Sequence, residues 1–317
     1  MPNAGESMGK EELLSVQNRL QECLRTLNEK SMSNQSIDLK GLFPHTENPQ
    51  ELLTQIDELK KCLDSFRPLT PAEAKSLSDA FDLEYTYESN RIEGNSLTLA
   101  ETQVVLERGV TVAGKPLIHH LEAINHRDAL LLVKRLVDEK TPLTPSVLLE
   151  INRIILKGSV YEDKSGRFRT EPVRIKGSRH VPPNYMVVPD RMNELYQDFQ
   201  KWQADGRHPV QIAADLHFHL VRIHPFVDGN GRSARLMMSF WLLQNGYTIA
   251  NLKGDDSDRI HYYNALETAS VDGNLEPFHA LIYEREKASL IWHLEGLVPD
   301  IEHGRGGYYL QTIKPIV

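Results

Sequence analysis

Residues 224–235 read His-Pro-Phe-Val-Asp-Gly-Asn-Gly-Arg-Ser-Ala-Arg, and no other stretch restricts the fold as tightly. The surrounding pattern predicts helices over 209–223 and 232–245. Pro225 cannot continue the first helix comfortably and turns the chain. Gly229-Asn230-Gly231 supplies a flexible turn whose backbone N–H groups can point into one concavity. Such a nest, leading into a helix N-terminus at Arg232, is a natural anion site, and the helix dipole adds partial positive charge there. The chain must therefore hold two helices joined by a bend that carries polar chemistry.

The side chains at the bend suit one kind of reaction. His224, delivered at the end of the first helix, has an unperturbed pKa of about 6.5 and can take a proton from an attacking hydroxyl near neutral pH. Asp228 is a single carboxylate beside a phosphate cradle, and magnesium typically takes one or two carboxylates together with substrate phosphates and water. Arg232 and Arg235 stand three apart on the first helical turn, and arginine forks match phosphate oxygens. Together these parts describe transfer of a phosphorus group to a hydroxyl, driven by positioning and charge stabilisation.

The rest of the chain reads as mostly helical. Leu13, Leu14, Leu20, Leu24 and Leu27 among charged residues suit an amphipathic helix over 10–30, and a second pattern covers 49–65. Thr70-Pro71-Ala72-Glu73 is a capping box with proline at the first helical position; it opens a helix that runs to about Glu93, where Gly94-Asn95 stops it. Further helices are expected at 98–108, 117–138, 145–156, 190–204, 258–270 and 276–294. The break in this pattern lies at 172–189, where two short runs around Gly177-Ser178 predict a tight β-hairpin.

Composition narrows the partners. The formal net charge of −8 does not suit a protein that coats nucleic acid, which favours a basic face. Two cysteines, Cys23 and Cys62, stand outside any CxxC motif, which argues against a zinc ribbon and fits a reducing compartment. His217 and His219 lie two apart on a helix and point in different directions, and no HExxH pattern exists, so zinc is rejected there. The start of the chain lacks the pattern of a signal peptide, and the longest apolar runs, such as Ala129–Val133, are too short to span a bilayer. The expectation is a cytoplasmic protein that binds neither nucleic acid nor membrane.

The stretch at 224–235 resembles the signature of the Fic (Fic/Doc) family, His-Pro-Phe-x-Asp/Glu-Gly-Asn-Gly-Arg-x-x-Arg, at every fixed position, and roughly residues 85–290 follow the family layout. The resemblance implies a mainly α protein: a helical Fic core, a short β-hairpin flap and an N-terminal helical extension. It implies transfer of AMP from ATP, with Mg²⁺, to a Ser, Thr or Tyr hydroxyl of a target protein or of the chain itself. In that frame His224 is the catalytic base and Asp228 the metal ligand. Asn230 with the Gly229 and Gly231 backbone forms the anion hole, and Arg232 and Arg235 clamp the outer phosphates. A kinase branch of the family carries lysine in place of the second glycine; Gly231 departs from that branch.

A second segment, Ser89-Asn90-Arg91-Ile92-Glu93-Gly94-Asn95, is informative on its own physics. Glu93 sits in the last turn of a helix, where a carboxylate opposes the macrodipole, so an arginine partner is expected. The segment resembles the Fic inhibitory motif, Ser/Thr-x-x-x-Glu-Gly/Ala-Asn. That likeness implies that Glu93 pairs with Arg235 and blocks productive ATP binding, with Ser89, Gly94 and Asn95 completing an intramolecular, N-terminal inhibitory element. It further implies a target-docking flap at Val173, Arg174, Ile175, Lys176 and Gly177, and an adenine pocket closed by Tyr262 and Tyr263. The family often has asparagine near position 270, where this chain has Ser270. The expected layout is an extension at 1–70, an inhibitory region at 71–110, a Fic domain at 111–296 and a tail at 297–317. A de-AMPylating hydrolase working through Glu93 and a nucleotide-binding module without chemistry are the alternatives; the target protein and a homodimer stay open.

Overall fold

The computed structural model describes residues 39–64 and 71–297. The expected helix at 10–30, Cys23, the Thr70 cap and the C-terminal tail lie outside the described residues. In chain order the helices are α1 (Leu39–Leu42), α2 (Pro49–Asp64), α3 (Pro71–Ile92), α4 (Leu99–Arg108), α5 (Leu117–Asp138) and α6 (Pro145–Ile155). They continue with α7 (Val188–Ala204), α8 (Pro209–Ile223), α9 (Asn230–Gln244), α10 (Asp256–Glu267) and α11 (Glu276–Leu297). The chain divides into two compact units, Met1–Leu77 with Lys287–Val317 and Ser78–Glu286. In the first, α2 buries a stripe of Leu52, Leu53, Ile56, Leu59 and Leu63. The second holds every side chain of the candidate site.

Local chemistry sets the helix ends. Thr98 and Glu101 form a reciprocal capping box at the start of α4, and Gly109 ends it in the left-handed conformation. α6, α7 and α8 each open with proline in the first turn, where its missing N–H costs nothing. α10 ends in a π turn over Thr268–Asp272, so Ser270 stands in the turn and not in regular helix.

α9 is the centre of the second unit, packed against α5, α6 and α8. Leu236, Met237, Met238, Phe240 and Leu242 are fully buried, and so are facing residues Ala213, Leu216 and Leu220 of α8. A helix that is covered all round normally carries apolar side chains. α9 instead also buries Asn230, Arg232, Ser233, Arg235 and Ser239. Buried polar groups must find partners, and their partners define the site below. No helix among the described residues is long and apolar enough to cross a membrane.

The expected β-hairpin at 172–189 does not form, and no β-strand occurs among the described residues. A turn does close, with Ser178 N–H donating to Ile175 O at 3.3 Å and Gly177 at φ 82°. Its two arms bond elsewhere than to each other. Arg179 N–H donates to Glu267 Oε1, and His180 N–H to Ser178 Oγ. Pro172, Pro182 and Pro183 carry no N–H to build a ladder.

Candidate functional site

α8 ends by delivering His224 in the left-handed region, φ 53° and ψ 58°, with its N–H on Leu220 O at 2.9 Å. Such a conformation is uncommon for a residue with a Cβ, and it ends α8 at His224. His224 Nδ1 lies 3.2 Å from Val221 O. A carbonyl only accepts, so Nδ1 carries the hydrogen and Nε2 presents a lone pair. Burial lowers the imidazole pKa below 6.5; the Val221 hydrogen bond opposes this and the Arg169 charge assists it.

The turn after His224 is closed by Asn230. Its side chain accepts from Phe226 N–H at 2.9 Å and donates to Phe226 O at 2.9 Å. Asn230 is thus the first residue of α9, two positions earlier than the sequence pattern indicates, and its amide is committed to holding the loop. The backbone N–H groups of Gly231 and Arg232 make no hydrogen bond among the described residues, so an anion at this point would meet backbone donors. Gly229, at φ 76°, brings the loop close against Asn152 and Ile155 of α6. Asn152 Nδ2 donates to Asp228 O at 3.1 Å, and Asn152 Oδ1 accepts from Gly166 N–H.

Two arginines face two carboxylates. Arg235, 1% exposed, donates from Nε to Ser89 Oγ at 2.9 Å, and from Nη2 to Ser89 O at 2.8 Å and Glu93 Oε1 at 2.7 Å. Its Nη1 is buried without a hydrogen bond. Arg232 lies 3.1 Å from Glu122 Oε1 on α5 and 3.6 Å from Asp228 Oδ2. Burial raises the Glu93 pKa, but the charges of Arg235 and Arg232 outweigh it and hold the group below 4.5. Gly231 stands directly beneath this carboxylate: a Cβ there would overlap Glu93 Oε1. Asp228 keeps about half its side chain exposed, so its carboxylate retains room for a ligand. Among the described residues no three His, Cys, Asp or Glu side chains converge. A magnesium ion that arrives with phosphates and water needs only one carboxylate, and Asp228 fits that demand.

The end of α3 explains how Glu93 gets there. Gly94 N–H bonds Arg91 O, Asn95 N–H bonds Asn90 O, and Gly94 has φ 95°: a Schellman stop that leaves Glu93 as the C-cap. The Asn95 side chain then donates to His119 O and Glu122 Oε2, both at 2.9 Å, and accepts from Leu97 N–H. Glu122 thus binds Arg232 with one oxygen and Asn95 with the other. Neither Glu122 nor Asn152 was singled out in the sequence; nothing in their local pattern marks them, since their partners come from distant segments.

The two tyrosines separate. Tyr262 is 2% exposed, its hydroxyl 3.2 Å from His217 Nε2, so it is a core residue without a face for a base. Burial pushes the His217 pKa down to about 3, so that imidazole stays neutral. Tyr263 is 44% exposed and donates its hydroxyl to Ile92 O at 3.0 Å. Its ring lies at the surface beside the end of α3. In the loop at 172–181, Arg174, Lys176 and Gly177 are exposed and Val173 and Ile175 half-buried, and Arg174 and Lys176 form no ion pair among the described residues.

The chain is similar to known proteins in sequence and in fold. A model described as the Fic/DOC family matches residues 142–242. A Fic domain containing signaling protein from Bacteroides thetaiotaomicron has a crystal structure that superimposes with a TM-score of 0.67. It is 30% identical over 80% of this chain and 98% of that one. The chain belongs to the Fic/DOC family. Fic-1 from C. elegans superimposes with a TM-score of 0.64 at 28% identity, covering 78% of this chain and 71% of that one. In sequence, the chain is similar to the protein adenylyltransferase Fic of Drosophila grimshawi, 33% identical over 76% of this chain and 49% of that protein. The counterpart of Nematostella vectensis is 33% identical over 72% and 52% respectively. The chain spans about half the length of these curated relatives. The matched stretch includes His224, Asp228, Arg232 and Arg235.

Proposed function

We propose that the chain is a protein adenylyltransferase that uses ATP and Mg²⁺ and is held down by Glu93. The observation that carries this reading is the Glu93 carboxylate lying over Gly231 and on Arg235, in the place where an anion would meet the free N–H groups of α9. A site that binds a carboxylate so closely suits a phosphate in the same position.

In the reaction, Nε2 of His224 takes the proton of the acceptor hydroxyl as its oxygen attacks the α-phosphorus. The new P–O bond forms, the bond from α-phosphorus to the oxygen bridging to the β-phosphate breaks, and pyrophosphate leaves with that electron pair. The N–H groups of Gly231 and Arg232 and the positive end of α9 stabilise charge on the transferring phosphate. Arg232 and Arg235 hold the outer phosphates, Arg235 only after Glu93 leaves it. Asp228 would hold the magnesium ion, which when bound would neutralise charge on the phosphates. Tyr263 flanks the base, and the exposed backbone at Val173–Gly177 docks an extended target segment by main-chain hydrogen bonds. The acceptor is a hydroxyl of another protein or of this chain, in a cytoplasmic setting that suits its two cysteines. The relatives' names as adenylyltransferases support the same reading.

One observation favours a second reading. Glu93 Oε2 has no hydrogen bond among the described residues, and Glu93 is close enough to His224 for their charges to interact. A water placed between them would release AMP from a modified protein.

Transfer is tested by incubating Glu93→Gly with ATP labelled at either the α- or the γ-phosphorus. The α label should remain on protein and the γ label appear in pyrophosphate. Retention of the γ label, or of neither, overturns the reading.

A further inference from the structure

Arg169 lies outside the signature and inhibitory motifs, yet it is 4% exposed, and each of its three guanidinium nitrogens donates to a backbone carbonyl. Nε donates to His224 O at 2.8 Å, Nη1 to Glu171 O at 3.1 Å and Nη2 to Pro183 O at 2.5 Å. Its own N–H donates to Pro225 O at 2.8 Å. Next to it, the Phe168 ring meets Phe226 of the signature with centroids 6.1 Å apart. Among the described residues the guanidinium makes no ion pair.

Glu171 and Pro183 are the two feet of the loop that carries Val173–Gly177. His224 and Pro225 are the strained start of the bend, where a residue with a Cβ sits at φ 53°. Such a conformation persists only where the surroundings over-determine it. One planar fork therefore joins the loop's base to the backbone of His224. We propose that Arg169 is a positioning residue that couples the target-docking loop to His224, so that an acceptor seated on the loop is set at a fixed distance from the imidazole.

This coupling rests on the adenylyltransferase reading. Arg169 touches none of the groups assigned to the phosphates, so its contribution falls on the transfer step and not on ATP binding. Lysine keeps the charge but is a point donor on a flexible stem and cannot span three carbonyls in one plane.

The test has two arms. In the Glu93→Gly chain, addition of Arg169→Lys should cut self-modification at saturating ATP by about 10²-fold, the cost of a misplacement of about 1 Å, while KM for ATP stays unchanged. Glu93→Gly by itself without transfer would count against the adenylyltransferase reading and not against Arg169. The second arm needs no activity. In Arg169→Gln, hydrogen exchange should quicken together in residues 171–183 and at the Phe226 amide, while α9 beyond Arg235 keeps its protection. Transfer at the parental rate, or a rise in KM matching the loss of rate, overturns the proposal. So does loosening of the loop with Phe226 still protected, or loss of protection throughout α9, which would mark Arg169 as a residue of the fold alone.

Discussion

His224 shows how much a single residue can be made to do by its surroundings. The left-handed backbone ends α8 at this residue, the Val221 carbonyl holds the hydrogen on Nδ1, and burial lowers the ring's pKa. A base must be neutral to act, so activity is present above its pKa and lost as pH falls through it. Since that pKa lies below 6.5, the acid limb of the rate–pH profile of Glu93→Gly should have its midpoint below pH 6.5. Removing the Glu93 carboxylate strengthens this, because that charge raises the His224 pKa. A rate–pH profile with its acid limb above 6.5 would contradict the assignment. Glu93 titrates below 4.5, so its pairing with Arg235 is present above that depressed value and lost only beneath it. Mild acid should therefore leave the intact chain as inactive as at neutral pH, which the same profile on the unaltered sequence checks. Replacing Arg235 by Lys in the Glu93→Gly chain should cost roughly 10²–10³ in rate, as for other preorganised charge stabilisers; steady-state kinetics decide.

At the level of elements, the proposed inhibition depends on how α3 ends. The Schellman stop at Gly94 aims Glu93 at α9, and Asn95 pins the following turn to α5 through His119 O and Glu122. Asn95→Ala removes those bonds and should cost about 1–3 kcal/mol of stability. It should also raise basal self-modification to a level between that of the intact chain and that of Glu93→Gly. A drop in melting temperature with transfer still at the basal level would mean that the turn is structural only. Much of this element plan could be read from residues. α5 spans Leu117–Asp138, as its periodicity predicts, because a long amphipathic pattern is averaged over many turns. That Glu93 needs a cation could be anticipated from its place at a helix C-terminus; that the cation is Arg235 is implied by the resemblance to the inhibitory motif. Side-chain direction was harder. The family resemblance marks Tyr262 and Tyr263 alike, and only geometry separates the core ring from the exposed one. The hairpin failed because the pattern of short runs around Gly177 ignored the donors missing at Pro172, Pro182 and Pro183. Asn152, Glu122 and Arg169 escaped notice because each acts on backbone or charge brought from a distant part of the chain.

For the molecule as a whole, the Ser78–Glu286 unit is a polar mechanism built into an apolar core. Its central helix buries Asn230, Arg232 and Arg235 among apolar side chains, so in the proposed reading stability and activity share α9. One buried acid in this unit has no part in the proposed chemistry. Glu286 accepts from Thr248 N–H and Oγ1 at 2.9 and 2.8 Å, and burial raises its pKa to about 7. A carboxyl whose folded pKa exceeds its unfolded value contributes full stability below about 4.5 and loses it as pH rises toward 7. Glu286→Gln keeps both acceptor bonds and removes the charge, so it should stabilise the chain by roughly 1–3 kcal/mol at pH 8 and little at pH 4. Melting temperatures at the two pH values test this. The central claim is that the bend at 224–235 holds a nucleotide triphosphate and that Glu93 stands in its way. Intact-mass measurement after incubation with ATP and Mg²⁺ addresses it most directly. Glu93→Gly should gain the mass of AMP, while the unaltered chain and Glu93→Gly with His224→Ala should gain none. An unmodified Glu93→Gly chain, or equal modification of all three, would contradict the account.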